Sequence, residues 1–131
     1  MALTYADCEP FLPLKDGSEA RVIKVYDGDS LTLGWTDRDR RNVRLPCRLL
    51  GIDTPEMRGS SAAEKALARR AKERLQSKVL GKIVTVRAPA REKYGRVLAD
   101  LETVDCVSVA SYMLEDGEIC RPYEGGKKAE W

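Results

Sequence analysis

Histidine does not occur anywhere in this chain. Imidazole is the side chain that ordinarily changes charge near neutrality, so any acid–base work falls to other groups. Cysteine is sparse and scattered: Cys8, Cys47, Cys106 and Cys120 form no C-x-x-C pair, which removes the ligand spacing of a structural zinc site. In a reducing compartment they read as small apolar or surface thiols, and in an exported protein as two disulfides of open connectivity. No basic stretch followed by an apolar run occupies Met1 to Asp16, so no signal peptide is visible and the compartment stays open. Net charge is only +2, too small by itself to announce a polyanionic partner. Repeats and low-complexity segments are missing as well. With 43% hydrophobic and 34% charged residues, neither disorder nor a membrane protein is indicated.

What is present fits one domain. A chain of 131 residues buries about two-thirds of its unfolded surface, enough for a core without staples. Residues 1–18, broken by Pro10, Pro13 and Gly17, read as an irregular tethered N-terminal extension; the domain spans 19–124 and a short tail 125–131. Ala20 to Tyr26 alternates as a strand, with Val22 and Lys24 on one face. Asp27-Gly28 signals a tight turn, and Ser30 to Trp35 returns with Leu31, Leu33 and Trp35 on one face. Thr36 to Asn42 is a polar turn before a third strand that runs from Val43 to near Ile52. Ser61-Ala62-Ala63-Glu64 has a capping-box pattern, followed by an i, i+4 stripe of Leu67, Ala71, Leu75 and Val79, with Gly81 as the stop. Lys82 to Ala88 and Val97 to Thr103 read as strands joined by a Pro89 to Arg96 loop, and Val109 to Asp116 as a short helix closed by Gly117. This α+β, β-rich order suits a five-stranded OB-type barrel with two packed helices.

Three segments carry chemistry: Asp27-Gly28-Asp29-Ser30, then Arg48 to Glu56 (RLLGIDTPE), then Lys93-Tyr94-Gly95-Arg96. Taken singly each has a bland explanation. The first is a hairpin turn, the second a strand end closed by Pro55, Arg48 a salt bridge to an acidic turn, and Arg96 a loop charge. Together they place acidic turns at strand ends that can converge on one side of a barrel. Asp29 and Asp53 would supply carboxylate oxygens and Thr54 a backbone carbonyl, an all-oxygen set that selects Ca²⁺ or Mg²⁺. Glu56 is the remaining carboxylate, placed to take a proton from water. Arginine suits a two-pronged grip on phosphate better than lysine does. A carboxylate base, a hard cation and guanidinium groups are a kit for phosphodiester cleavage. Basic residues also cluster, in Arg38, Arg40, Arg41, Arg44 and Arg48 and again in Arg69, Arg70, Lys72, Arg74 and Lys78; the second cluster reads as a solvated face.

In this order the three segments resemble the staphylococcal nuclease (thermonuclease) family, from about Val22 to Tyr123. The resemblance implies an OB-fold, dependence on Ca²⁺, and cleavage of DNA and RNA that leaves 3′-phosphate ends. It further implies that Asp29 and Asp53 are the calcium carboxylates and Thr54 the carbonyl ligand. Arg48 and Arg96 become the phosphate-gripping arginines, Glu56 the general base, and Lys93, Tyr94 and Tyr123 the nucleotide contacts. Ser30 stands where the family usually has threonine, the loop after Glu56 is short, and a second tyrosine near Tyr123 is missing, with Gly125-Gly126-Lys127-Lys128 following instead. The expected partner is a DNA and/or RNA substrate, bound by a monomer with no obligate protein partner and no membrane association. The rival expectation is a non-catalytic nucleic-acid-binding OB module of the same fold.

Overall fold

The structure, a computed structural model, describes residues 2–8, 11–59, 61–126 and 130–131, with the Tyr94 side chain also outside the described set. The chain runs through β1 (Glu19–Asp27), β2 (Ser30–Thr36), β3 (Asn42–Leu49), β4 (Ile52–Asp53), α1 (Ala62–Val79), β5 (Ile83–Arg91), β6 (Val97–Glu102), α2 (Val109–Leu114) and β7 (Arg121–Pro122). Five of the strands close a barrel in the order β1-β2-β3-β6-β5, and β4 pairs with β7 as a separate ladder. The β3–β6 pairing is parallel and the other barrel pairings are antiparallel. This is the five-stranded OB-type barrel with two packed helices that the sequence predicts.

Alternation explains which side chains fill it. Val22, Leu31, Leu33, Leu49, Val84, Val86, Val97 and Leu101 are fully buried inside. Helix α1 lays Ala68, Ala71, Leu75 and Val79 against this core, with Leu67 at its margin. Its start is fixed as the capping pattern predicts, by Ser61 Oγ accepting from the Glu64 N–H at 3.0 Å. Helix α2 is anchored by Asp100 of β6, which accepts from Ser108 Oγ at 2.5 Å and from the Ala110 N–H at 3.1 Å.

Four expectations are corrected. Lys24 does not share a face with Val22, because a bulge between them turns Val25 inward in its place. The third strand ends at Leu49 rather than near Ile52, since Gly51 at φ +83° reverses the chain and makes β4 a separate element. Strand β5 passes through Pro89 to Arg91, where a loop was expected; a bulge between Arg87 and Ala90 accommodates the missing proline N–H. Helix α2 stops at Leu114 and tightens into turns, with Asp116 N–H donating to Met113 O at 3.2 Å. The expected extension and tail include residues 1, 9–10 and 127–129, which lie outside the described residues. Within the extension Leu14 is buried, the Gly17 N–H donates to Val86 O at 2.8 Å and Asp16 accepts from the Ala88 N–H at 2.9 Å. All four cysteines are free thiols, Cys47 and Cys120 buried and Cys8 and Cys106 exposed. Among the described residues no helix is long and apolar enough to cross a membrane.

Candidate active site

The site forms where two chain reversals meet. The first is the Gly28-Asp29 turn between β1 and β2, pressed under α1. A Cβ on Gly28 would stand 2.6 Å from the Ala71 Cβ and 3.0–3.1 Å from the Thr54 side chain, so only glycine lets the helix and the Thr54 segment close on this turn. The second is the Leu50-Gly51 turn, which folds β4 back over the end of β3. Because Ser30 and Arg48 are direct strand partners, the Arg48 guanidinium emerges beside Asp29. Its Nη1 donates to Asp29 Oδ2 at 3.0 Å and its Nη2 to Ile52 O at 3.2 Å, with Asp53 Oδ1 at 3.8 Å. Asp29 also accepts from the Thr54 N–H at 3.3 Å and from Ser30 Oγ at 3.0 Å. Exposure is only 4% for Asp29, 8% for Arg48, 1% for Asp53 and 1% for Thr54. Charges so deeply placed need pairing to offset their desolvation, and the Arg48 guanidinium approaches both carboxylates.

Arg48 also borders an open cleft of about 380 Å³, shared with Glu92, Arg96 and Tyr123. Arg96 Nη2 donates to the Glu92 carboxylate four residues before it. Arg96 Nε and Glu92 Oε2 are buried without a hydrogen-bond partner among the described residues. The Tyr123 ring lies 5.3 Å from Arg48 Cζ, close enough for a cation–π contact. Its backbone is held by an N–H donated to Gly51 O at 2.9 Å, and its hydroxyl donates to Gly126 O at 2.8 Å. Glu56 is exposed and lines a separate hollow of about 210 Å³ with Tyr26, Asp27 and Met57. That hollow is shaped by Asp27, which accepts the Met57 N–H at 3.2 Å.

A sequence model of the family described as Staphylococcal nuclease homologue matches residues 46–125. The chain belongs to that family. It is similar, at 33% identity over 97 residues, to a protein named Uncharacterized endonuclease from Escherichia coli; the match covers 74% of this chain and 56% of that protein. A protein of the same name from Escherichia coli O157:H7 matches to the same extent. The chain thus spans about half the length of these relatives.

The stretch that matches the staphylococcal nuclease homologue family carries Arg48, Asp53, Thr54, Glu56, Arg96 and Tyr123. Asp29 lies before it and joins the site through strand pairing. Of the residues singled out in sequence, Asp29, Arg48, Asp53 and Thr54 form one buried cluster, and Arg96 and Tyr123 line one cleft with Arg48. Glu56 lines a separate hollow. Lys93 is exposed on a single 3₁₀ turn, Lys93–Gly95, and the Tyr94 side chain lies outside the described residues. Sequence reasoning missed Glu92, whose signal was its i, i+4 spacing to Arg96, and Ser30 as a partner of Asp29. It also missed Cys120, whose thiol is pushed up to about 12 by burial, with the negative charges of Asp29 and Asp53 adding to the effect.

The donor chemistry fits a hard cation. Asp29 and Asp53 offer carboxylate oxygens, and Thr54 Oγ1 is buried without a hydrogen-bond partner among the described residues. Among the described residues no group of three or more His, Cys, Asp or Glu side chains is gathered for a metal. A cation here would therefore rest on two carboxylates and on other oxygen donors, and would share Asp29 with Arg48.

Proposed function

We propose that the chain is a Ca²⁺-dependent nuclease that hydrolyses phosphodiester bonds of DNA and/or RNA and leaves 3′-phosphate ends. The observation that carries this is the meeting of two arginines on one cleft, one of them locked to buried carboxylates. Family membership and relatives named as endonucleases support the same reading. Arg48 and Arg96 are already held by Asp29 and Glu92, so each guanidinium is preorganised and keeps further N–H donors for phosphate oxygens. Charge that develops on phosphorus is met by donors already in place, the usual source of large electrostatic rate effects.

Glu56, exposed and two residues beyond Thr54 of the buried cluster, accepts the proton of the attacking water. The new bond joins water oxygen to phosphorus and the bond to the 5′-oxygen breaks. That oxygen takes its proton from solvent water as it leaves, Glu56 returns its own proton to solvent, and the phosphate stays on the 3′ side. Arg96, which lines the same cleft as Arg48, steadies the departing oxygen. Asp29, Asp53 and Thr54 would hold Ca²⁺, which when bound supplies positive charge beside the phosphate.

The test is digestion of plasmid DNA and of RNA with Ca²⁺, Mg²⁺ or EDTA, with end-group analysis of the products. Glu56→Gln and Arg96→Lys should each lower kcat by about 10²–10³ while KM moves little, because the loss falls on the chemical step. If both variants keep wild-type turnover, the assigned roles are wrong. A wild-type chain that binds nucleic acid without cleaving it would make the protein a binding module instead.

A further inference from the structure

Exposed apolar surface is concentrated at one end of the chain. Of the four large apolar side chains most exposed among the described residues, three are Leu3 at 81%, Tyr5 at 99% and Phe11 at 79%. Scattered singly such residues need no explanation, but a run of them marks a contact surface. Tyr5–Asp7 form one 3₁₀ turn, closed by the Asp7 carboxylate, which accepts from the Thr4 N–H at 3.1 Å and from Thr4 Oγ1 at 2.8 Å. A segment already turned loses less freedom when it docks. Its charge is one-sided, since Asp7 and Glu9 are the only ionic side chains before Lys15.

A groove of the opposite character lies beside the β2–β3 loop, with a volume of about 660 Å³. Leu12, Trp35, Val43 and Leu45 line it half-buried, and all but Val43 rest on the core. Around this apolar lining stand Lys15, Arg38 and Arg44, which are exposed and enter no ion pair among the described residues. The carboxylates of the loop, Asp37 and Asp39, are instead taken by Arg41. The groove is thus apolar within and positive at its rim, the complement of the acidic, apolar segment at the start of the chain. That segment does not fill the groove of its own chain, since residues 2–8 are all exposed.

We infer that the groove takes the N-terminal segment of a second copy, so that two chains exchange arms in a reciprocal dimer rather than the monomer expected from the sequence. Leu3 and Tyr5 enter the apolar lining, and Asp7 meets the cations at the rim. Every chain that carries the groove also carries the matching arm, and each copy gives one arm and receives one. The pair therefore closes on a two-fold axis and leaves no open end. A buried tyrosine covers about 150–250 Å². Counted on both sides of both contacts, Tyr5 by itself supplies roughly half of a specific interface of about 1,200–2,000 Å². The groove residues Val43 and Leu45 lie toward the loop end of β3 and Arg48 at its other end, so the cleft stays open. The dimer does not depend on the nuclease reading.

The experiment is sedimentation velocity of the full chain over a concentration series, with every substitution at an exposed position. Wild type should self-associate, and more weakly as salt rises, because the rim contacts are ionic. Leu3→Ser with Tyr5→Ser should weaken self-association by about 10²–10³-fold, as loss of central apolar anchors does. Arg38→Glu with Arg44→Glu turns the rim against the arm and should weaken it by at least about ten-fold. The serine variant, fluorescently labelled, keeps its groove but has no arm. It should bind wild type and the glutamate variant equally well, since either one supplies an arm, and should not bind unlabelled copies of itself. A wild type that stays monomeric at every concentration overturns the dimer, including the case in which each arm folds onto its own groove. Self-association that survives loss of the arm overturns it by placing the contact on another face. Binding of the labelled chain to wild type but not to the glutamate variant overturns the arm-to-groove assignment.

Discussion

Replacing Arg48 with glutamine takes the guanidinium from two carboxylates at once, whereas replacing Asp29 with asparagine leaves Arg48 its contact with Asp53. The two substitutions therefore should not cost the same. In the native site Arg48 is 8% exposed, with Nη1 at 3.0 Å from Asp29, Nη2 at 3.2 Å from Ile52 O and 3.8 Å from Asp53. Removing one partner of a buried ion pair usually costs about 3–5 kcal/mol, a large part of the roughly 5–15 kcal/mol that holds a domain together. Asparagine at position 29 keeps a side-chain oxygen to accept from Arg48 or from the Thr54 N–H. Its cost is nearer that of one weakened hydrogen bond, about 1 kcal/mol.

Urea unfolding of both variants at neutral pH in EDTA measures the difference, which should be at least about 2 kcal/mol. Adding Ca²⁺ supplies a second check. With the guanidinium gone, Asp29 and Asp53 no longer share their oxygens with Arg48, so Ca²⁺ should raise the unfolding midpoint of Arg48→Gln more than that of wild type, by the linkage of ligand binding to the folded state. Asp29→Asn should show a smaller calcium response than wild type. Equal destabilisation by the two substitutions, or a loss under about 1 kcal/mol for Arg48→Gln, would refute the idea that one guanidinium neutralises this cluster.

Two further outcomes follow from packing and burial. Gly28→Ala forces a Cβ to within 2.6 Å of the Ala71 Cβ, an overpacking that should cost about 1–3 kcal/mol and lower activity by displacing Thr54; adding Ala71→Gly should recover much of the stability, and its failure to do so would count against the contact. The thiols give a pH test. Native protein should react with a thiol reagent only at Cys8 and Cys106, and at all four cysteines in denaturant. Burial, with the Glu92 charge adding to it, pushes the Cys47 thiol from its ordinary 9.0 up to about 12. Its folded pKa is raised, so the stability from keeping it protonated is complete below pH 9.0 and is lost as pH rises toward about 12. That loss is about 1.4 kcal/mol per pH unit in this window. Cys47→Val should flatten the alkaline limb of urea midpoint against pH, and an unchanged limb would show that another group sets it.

The barrel was legible in the sequence because its strands repeat the alternation that a one-sided core imposes, and α1 because Ser61 and the Ala71, Leu75, Val79 stripe are local signals. What escaped was set by contacts distant in sequence. The bulge that swaps Lys24 for Val25 exists because β1 must pair with β2 on one side and β5 on the other, and nothing within Ala20 to Tyr26 records that demand. Pro89 likewise reads locally as a break, yet β6 holds β5 in place on either side of it.

The same distinction governs the site. Asp29, Arg48 and Asp53 were readable because each lies beside its own turn signal, and the turns do most of the positioning. The placement of Tyr123 at the cleft was not readable, because its support is the two-residue ladder of Ile52 with Pro122 and Asp53 with Arg121. A pairing so short has no periodicity of its own and forms only after the barrel has brought its ends together. Yet it acts directly on the candidate chemistry. It carries Tyr123 to Gly51 through the 2.9 Å backbone hydrogen bond and brings the ring to 5.3 Å from Arg48 Cζ. The guanidinium is thus held at one edge by the Asp29 carboxylate and lies 5.3 Å from the Tyr123 ring, so two elements distant in sequence restrict its orientation.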